Sequence, residues 1–195
     1  MKRILAALLL LYTSHVMAQQ LRFDTLNQKR VHLNTIGMAH LGAWGALNVV
    51  VGATGYLTAN DKEWQAFHGM NAIWGATNAI IALGGYMGAK REAELRPDID
   101  EALHRYEQNK RLFLVNAGLD VLYIGTGAVL DARADDFNSP AMWHGFGKSF
   151  MVQGAALLLF DGAMYALHSR NNKKWYSLLH GVVVTGNGVG YIYKF

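Results

Sequence analysis

Trp44-Gly-Ala-Leu-Asn-Val-Val-Val-Gly-Ala-Thr-Gly-Tyr56 returns further along the chain as Trp74-Gly-Ala-Thr-Asn-Ala-Ile-Ile-Ala-Leu-Gly-Gly-Tyr86. Both copies read WGAxN, six residues, then GY. Each lies in a window of about twenty mostly apolar residues, long enough to cross a bilayer as a helix. Each also carries Asn and Gly where a lipid-facing helix would have Leu. The pattern predicts spanning helices that turn small and polar residues toward one another.

Composition agrees with that reading. Of 195 residues, 52% are hydrophobic and only 16% charged, against about 25% charged in an average soluble domain. Gly is frequent, at 21 residues, and Pro scarce, at 2, as expected where helices pack through small side chains. Mean hydropathy is only +0.09, which keeps a soluble extracytoplasmic helical bundle as an alternative. The chain has no cysteine, so disulfides, thiolate metal ligands and cysteine nucleophiles are excluded. Its net charge of +4 comes from basic residues in the inter-helix segments, without the aromatic-interleaved patch of a nucleic-acid binder.

Working outward, Lys2 and Arg3 precede an apolar run from Ile4 to Leu11, and Val16-Met-Ala18 precedes Gln19. This order of charged, apolar and small residues predicts a signal peptide over 1–18, cleaved after Ala18. The remainder, 19–195, reads as one helical transmembrane domain with spans over about 35–57, 67–87, 112–130, 146–167 and 175–193. The short turn Thr58 to Glu63 makes the first two spans antiparallel neighbours. Lys90 to Arg111 is the long charged stretch. Within it Pro97-Asp98 restarts a helix, and Ile99, Ala102, Leu103 and Tyr106 form an apolar stripe, so this segment reads as a solvated extension of span three or as a docking surface for a partner. Trp64, Trp143, Trp175, Tyr191 and Tyr193 fall at predicted span ends, where aromatic rings favour the bilayer interface. A fainter likeness relates Phe113-Leu-Val-Asn-Ala-Gly118 to Phe150-Met-Val-Gln-Gly-Ala155. The fold expected is therefore an all-α, five-helix membrane-embedded bundle.

Two orientation signals conflict. A cleaved signal places the N-terminal tail and the segments after spans two and four outside the cytoplasm, yet these hold Arg22, Lys29, Arg30, Lys90, Arg91, Arg96, Arg105, Lys110, Arg111, Arg170, Lys173 and Lys174. The opposite side holds Lys62, Arg133, Lys148 and Lys194. The positive-inside rule thus favours the reverse orientation.

At 100° per residue each span gathers its polar residues on one face. Asn48, Asn78, Gly52 and Gly85 fit a packing role, through close backbone approach and interhelical hydrogen bonds. Asp120 and Asp161 are different, because a carboxylate within a membrane costs at least ~2.5 kcal/mol on insertion scales and usually serves a function. On the same side as these two fall His40, Asn116, Tyr165, His168 and His180. Together they are the candidates for a ligand or proton site. Asp120, Asp161, His40 and His180 are also the ligand types of a divalent metal site. His68, Asp131 and His144 make a loop-proximal set on the other side that reads as solvated. The chain lacks HExxH, the ExxH pair of di-iron bundles, GxSxG, a P-loop and a strand-to-helix GxGxxG, so no reaction or cofactor is indicated.

The signal-like start ending in Ala-Gln-Gln, followed by short Gly- and Asn-rich spans, resembles the small uncharacterised membrane-protein families of Bacteroidota-type bacteria. That resemblance implies an integral protein of the bacterial envelope, in contact with the lipid bilayer and with another envelope membrane protein as the natural kind of partner. It carries over no catalytic residue. The sequence thus favours a binding or accessory membrane protein. A membrane enzyme or transporter using intramembrane Asp and His on a metal, a proton or a small ligand is the alternative.

Overall fold

The computed structural model describes the backbone of residues 2–177, 181–185 and 188–192, and the side chains of residues 21–176. Its body is a bundle of four long helices: α1 (Lys2–Thr58), α2 (Lys62–Glu94), α3 (Ile99–Ala132) and α4 (Pro140–Ser169). Helix starts follow local chemistry. The Asp61 carboxylate accepts the Trp64 N–H (2.9 Å) and Asp98 accepts the Glu101 N–H (2.8 Å), so each caps a helix. Pro140 opens α4, where its missing N–H costs nothing. Pro97 disfavours helix at the preceding residue and keeps α2 and α3 apart. The charged segment before span three is, as expected, a helical extension of it.

The expected fifth span over 175–193 is not formed. Asn172–Ser177 is instead a short helix, α5, and Gly181–Thr185 (β1) pairs antiparallel with Gly188–Ile192 (β2). Val182, Val183, Val184 and Thr185 are β-branched and stiff at χ1. Thr185 lies opposite Gly188. Apolar length alone did not distinguish this stretch from a span. Trp175, expected at a membrane interface, is 1% exposed and stacks on Tyr106 with ring centroids 4.9 Å apart.

The helices form two antiparallel hairpins, α1–α2 and α3–α4, joined mainly where α2 packs on α4. Both hairpins are closed by glycine. A Cβ placed on Gly75 would lie 2.6 Å from the Gly45 carbonyl oxygen, and one on Gly147 would lie 2.6 Å from that of Gly127. Only glycine permits such backbone approach. Gly52 sits equally close to the Ala72 backbone, whereas Gly85 meets the Met38 side chain, so of the two predicted packing glycines only Gly52 lies at a backbone crossing.

The radial distribution of polarity is inverted relative to a soluble bundle. Leu57, Ile80 and Leu159 are 81, 72 and 77% exposed, and Val50, Ile73, Leu112 and Leu122 join them on the outer surface. The buried positions include Asn48, Asn71, Asn78, Asp120, Gln153 and Asp161. Among the described residues, Leu21–Thr58, Ile99–Ala132 and Pro140–Tyr176 are long and apolar enough to cross a membrane. Helix α2, rich in Gly, Asn and Trp, is not among these.

A headpiece extends the bundle at the end where α1 enters. Its core is Phe23, Leu26, Ala102, Tyr106 and Trp175. The Tyr106 hydroxyl bonds to the His168 carbonyl (2.8 Å) and to Asn172, which ties α3 to the end of α4 and to α5. Arg30, 2% exposed, makes an ion pair with Glu92 at 2.8 Å, and Glu92 also meets Arg105 at 3.2 Å. The Arg30 contact is charge against charge without the directionality of a good hydrogen bond. Its weight lies in the burial of Arg30, because an uncompensated buried charge is costly. Glu92→Gln should therefore lower stability by about 2 kcal/mol, discounted for the partial exposure of Glu92, when thermal unfolding is followed in detergent. Glu101→Gln, which touches only the outer Arg105, should change it by less than about 0.5 kcal/mol. Equal effects from the two variants would show that Arg30 does not depend on Glu92.

Candidate functional site

Helices α2 and α3 both flank α4 yet do not pack along each other, which leaves a cleft between the hairpins. Its volume is about 530 Å³, within the usual range for small-molecule sites. Leu41 on α1, Ile81 on α2, Leu112 and Leu119 on α3 and Phe160 on α4 supply apolar walls. Into the same cleft α2 presents Trp74 and Asn78, α3 presents Asn109, Asn116, Asp120 and Tyr123, and α4 presents Asp161. The Trp74 ring is fixed edge-on against Tyr123 (5.0 Å between centroids) and Phe150 (5.4 Å).

Asp120 on α3 and Asp161 on α4 are neighbours in this cleft, with Asn116 beside them. The two carboxyls are 2% and 5% exposed. Carboxyl groups so placed hold between them either a proton or the N–H of another molecule. The outer oxygen of Asp120 has no partner, nor have the Trp74 indole N–H, the Asn78 amide nitrogen and the Asn109 amide nitrogen. All four residues line this one cleft. Buried polar groups are nearly always satisfied, so four orphans together in one cavity mark a place where something binds.

The remaining predicted residues fall elsewhere. His40 is exposed on the outer face of α1, its Nδ1 2.9 Å from the Ile36 carbonyl oxygen of its own helix. It misses the inward stripe Leu41, Gly45, Asn48, Gly52 by a single residue, about 100° of rotation. His168 is buried, but in the headpiece, with Nε2 3.0 Å from Asn34 Oδ1 and its ring stacked on Phe113. Tyr165 is half-buried and does not line the cleft. The expected His180 lies outside the described residues. Among the described residues no three His, Asp or Glu side chains come together as metal ligands. Of the four proposed metal ligands, the structure unites Asp120 and Asp161 and places His40 apart from them. At the far end of the bundle His144 Nδ1 lies 2.8 Å from Asp131, as a half-exposed surface pair, while His68 packs against Trp64 and Phe67.

A second polar cluster sits beside the cleft. The Trp44 indole N–H donates to Gln153 Oε1 (3.1 Å), and Gln153 Nε2 donates to Asn48 Oδ1 (2.7 Å) and Asn71 Oδ1 (2.6 Å). Asn48 and Asn71 spend their own amide N–H groups on carbonyls one turn back, Trp44 and Phe67. The cluster is closed and fully satisfied, and it fastens α4 to both helices of the first hairpin. Asn48 thus has the packing role expected of it, whereas Asn78 faces the cleft. Gln153, Trp74 and Asn109 were missed as site residues. The available signal was the alignment of Asn116 with Gln153 in the fainter likeness, and the indole N–H that each WGAxN copy must satisfy in an apolar setting. Gln153→Leu removes three hydrogen bonds from a residue with no exposed surface and leaves the Trp44 indole N–H and the Oδ1 atoms of Asn48 and Asn71 unpartnered, so thermal unfolding in detergent should register a loss of about 1–3 kcal/mol. A variant as stable as the parent would show that the cluster does not hold the hairpins together.

No curated protein and no solved structure matches this chain. The segment that contains both WGAxN motifs, Asn109, Asp120, Gln153 and Asp161 is the part with a recognisable family: residues 40–162 match the family of unknown function DUF6992, and the chain belongs to that family.

Proposed function

We propose that this chain is a small integral membrane protein of a bacterial envelope, entered through an N-terminal signal sequence, whose inter-hairpin cleft holds a small amphipathic ligand. Its role on this reading is binding or accessory. The observation that carries the reading is that Trp74 Nε1, Asn78 Nδ2 and Asp120 Oδ2, all without partners, line one cleft with apolar walls, with a fourth unpartnered group, Asn109 Nδ2, further along it. Membrane location is supported by the exposed girdle of Leu, Ile and Val around a polar interior. Such a surface in water would be an aggregation liability, and in lipid it is at home. That weighs against a soluble extracytoplasmic bundle. The charged headpiece, with Glu92, Arg105, Lys110 and Arg111, offers an envelope partner a surface outside the bilayer.

A second reading is favoured by the Asp120–Asp161 pair alone. Two facing carboxyls in a membrane interior are the usual material of a proton relay, so a transporter or membrane enzyme could use them without a bound organic ligand. The two readings separate on which residues matter, because a relay needs the carboxyls and not the Trp74 N–H.

Expressed protein should remain in the membrane fraction after an alkaline wash and enter solution only with detergent. Release without detergent would overturn the membrane reading. Native mass spectrometry of the purified protein should then find a bound small molecule on the parent chain. The Asp120→Asn, Asp161→Asn double variant, which keeps shape and some hydrogen bonding while removing both carboxylates, should retain less than about a tenth of it, as loss of charge-assisted bonds predicts. Equal retention by parent and variant would remove the aspartates from the site.

A further inference from the structure

The two WGAxN motifs, alike in sequence, end in different states. In the first, Trp44 and Asn48 are bridged by the carboxamide of Gln153: the indole N–H donates to its oxygen, and its N–H₂ donates to Asn48. In the second, no side chain of the described structure plays that part. Trp74 Nε1 and Asn78 Nδ2 remain without partners, although Asn78 is only 3% exposed. What stands in front of them is the cleft, which the orphaned Asp120 oxygen also lines, 2% exposed at residue level; the orphaned Asn109 amide lies about three helical turns from Asp120 along α3.

We infer that the cleft ligand carries an uncharged amide head, which does for Trp74 and Asn78 what the Gln153 side chain does for Trp44 and Asn48. The inference rests on the cleft being a ligand site and adds the chemical class of the ligand. The two orphaned N–H donors of Trp74 and Asn78 require an acceptor oxygen, and the orphaned Asp120 oxygen requires an N–H. An amide supplies both in one neutral group. An alkylamine would satisfy the aspartates and leave two donors without an acceptor. A fatty acid would satisfy the donors and set its carboxylate against Asp120 and Asp161. Each mismatch leaves a buried group unpaired, which is the stronger source of discrimination. Neutrality also suits a site approached from lipid, since a charged head would have to shed its hydration to enter. The remainder of the ligand is apolar, because Leu41, Ile81, Leu112, Leu119 and Phe160 line the rest of the cavity.

The test is calorimetric titration of the full chain in lipid nanodiscs with three probes of one chain length: decanamide, decylamine and decanoic acid. Decanamide should bind at least about ten-fold more tightly than either of the others, the effect of one unpaired buried group. Trp74→Phe keeps a ring against Tyr123 and Phe150 while deleting the N–H, and Asn78→Leu keeps the approximate shape while deleting the donor. Each should weaken decanamide about ten-fold and leave the thermal stability of the empty protein close to that of the parent. Tightest binding by decylamine, with Trp74→Phe indifferent, overturns the amide head and leaves the cleft as a cation site. Tightest binding by decanoic acid overturns it likewise. No binding by any probe, together with a parent chain that carries no bound molecule, overturns the amide head and the ligand site together.

Discussion

Helices α1 and α2 approach so closely at Gly45 and Gly75 that the backbone of each occupies the space a side chain would fill on the other. This contact sets the spacing for everything polar in the bundle interior. With the axes this near, Asn48 of α1 and Asn71 of α2 are brought to one carboxamide, and Gln153 reaches both at 2.7 and 2.6 Å. The α3–α4 hairpin repeats the device at Gly127 and Gly147. On the proposal that the bundle lies in lipid, there is no hydrophobic gain from bringing apolar helices together, and close packing and hydrogen bonds supply the association. Glycine provides the first and Gln153 the second. Their proximity in space is what makes two separately zipped hairpins into one bundle.

The same economy explains why a cleft exists. Each hairpin is tight within itself, and the hairpins meet chiefly through α2 on α4. Helices α2 and α3 thereby both lie against α4 without packing along each other, and the space between them is left open as the cleft. A span after α4 could have filled the gap, but Asn172–Ser177 turns back into the headpiece instead, where Trp175 stacks on Tyr106. Polar groups on the facing surfaces of α2 and α3 are therefore left without the partner that Gln153 gives to the corresponding groups beside it.

Helix existence, the first antiparallel hairpin, the helix start at Asp98 and the inward Asn48, Asn78, Asp120 and Asp161 were legible in the sequence, because a period of 3.6 residues and the high cost of buried polar groups constrain them directly. His40 was not. A helical face read over twenty residues drifts, and one residue of drift moves a side chain from the interior to the lipid surface. The stretch after Trp175 was misread for a different reason. Apolar length was weighed above its run of β-branched residues and its Gly-Asn-Gly, which are the local signals for a hairpin. Gln153 escaped notice because nothing in one helix reveals which residue of another will complete its hydrogen bonds. Pairing across helices is a property of the packed bundle.

The headpiece bears on how the spans are read from charge. Three of the twelve basic residues at that end are held in ion pairs: Arg30 is buried on Glu92, Arg105 bridges Glu92 and Glu101, and Lys110 lies 3.1 Å from Glu107. Charges neutralised within a folded unit exert less pull on topology than free charges next to a span, since the rule that counts Lys and Arg was drawn from short loops. The opposition between a signal-led orientation and the count of basic residues is thus weaker than the bare count makes it. Arg22, Lys29, Lys90, Arg91, Arg96, Arg111, Arg170 and Lys173 appear in no ion pair among those described, and they still weigh toward a cytoplasmic headpiece. The balance between the two signals turns on these eight residues and on the fate of the first eighteen, because the buried and paired charges move with the fold whichever way it faces.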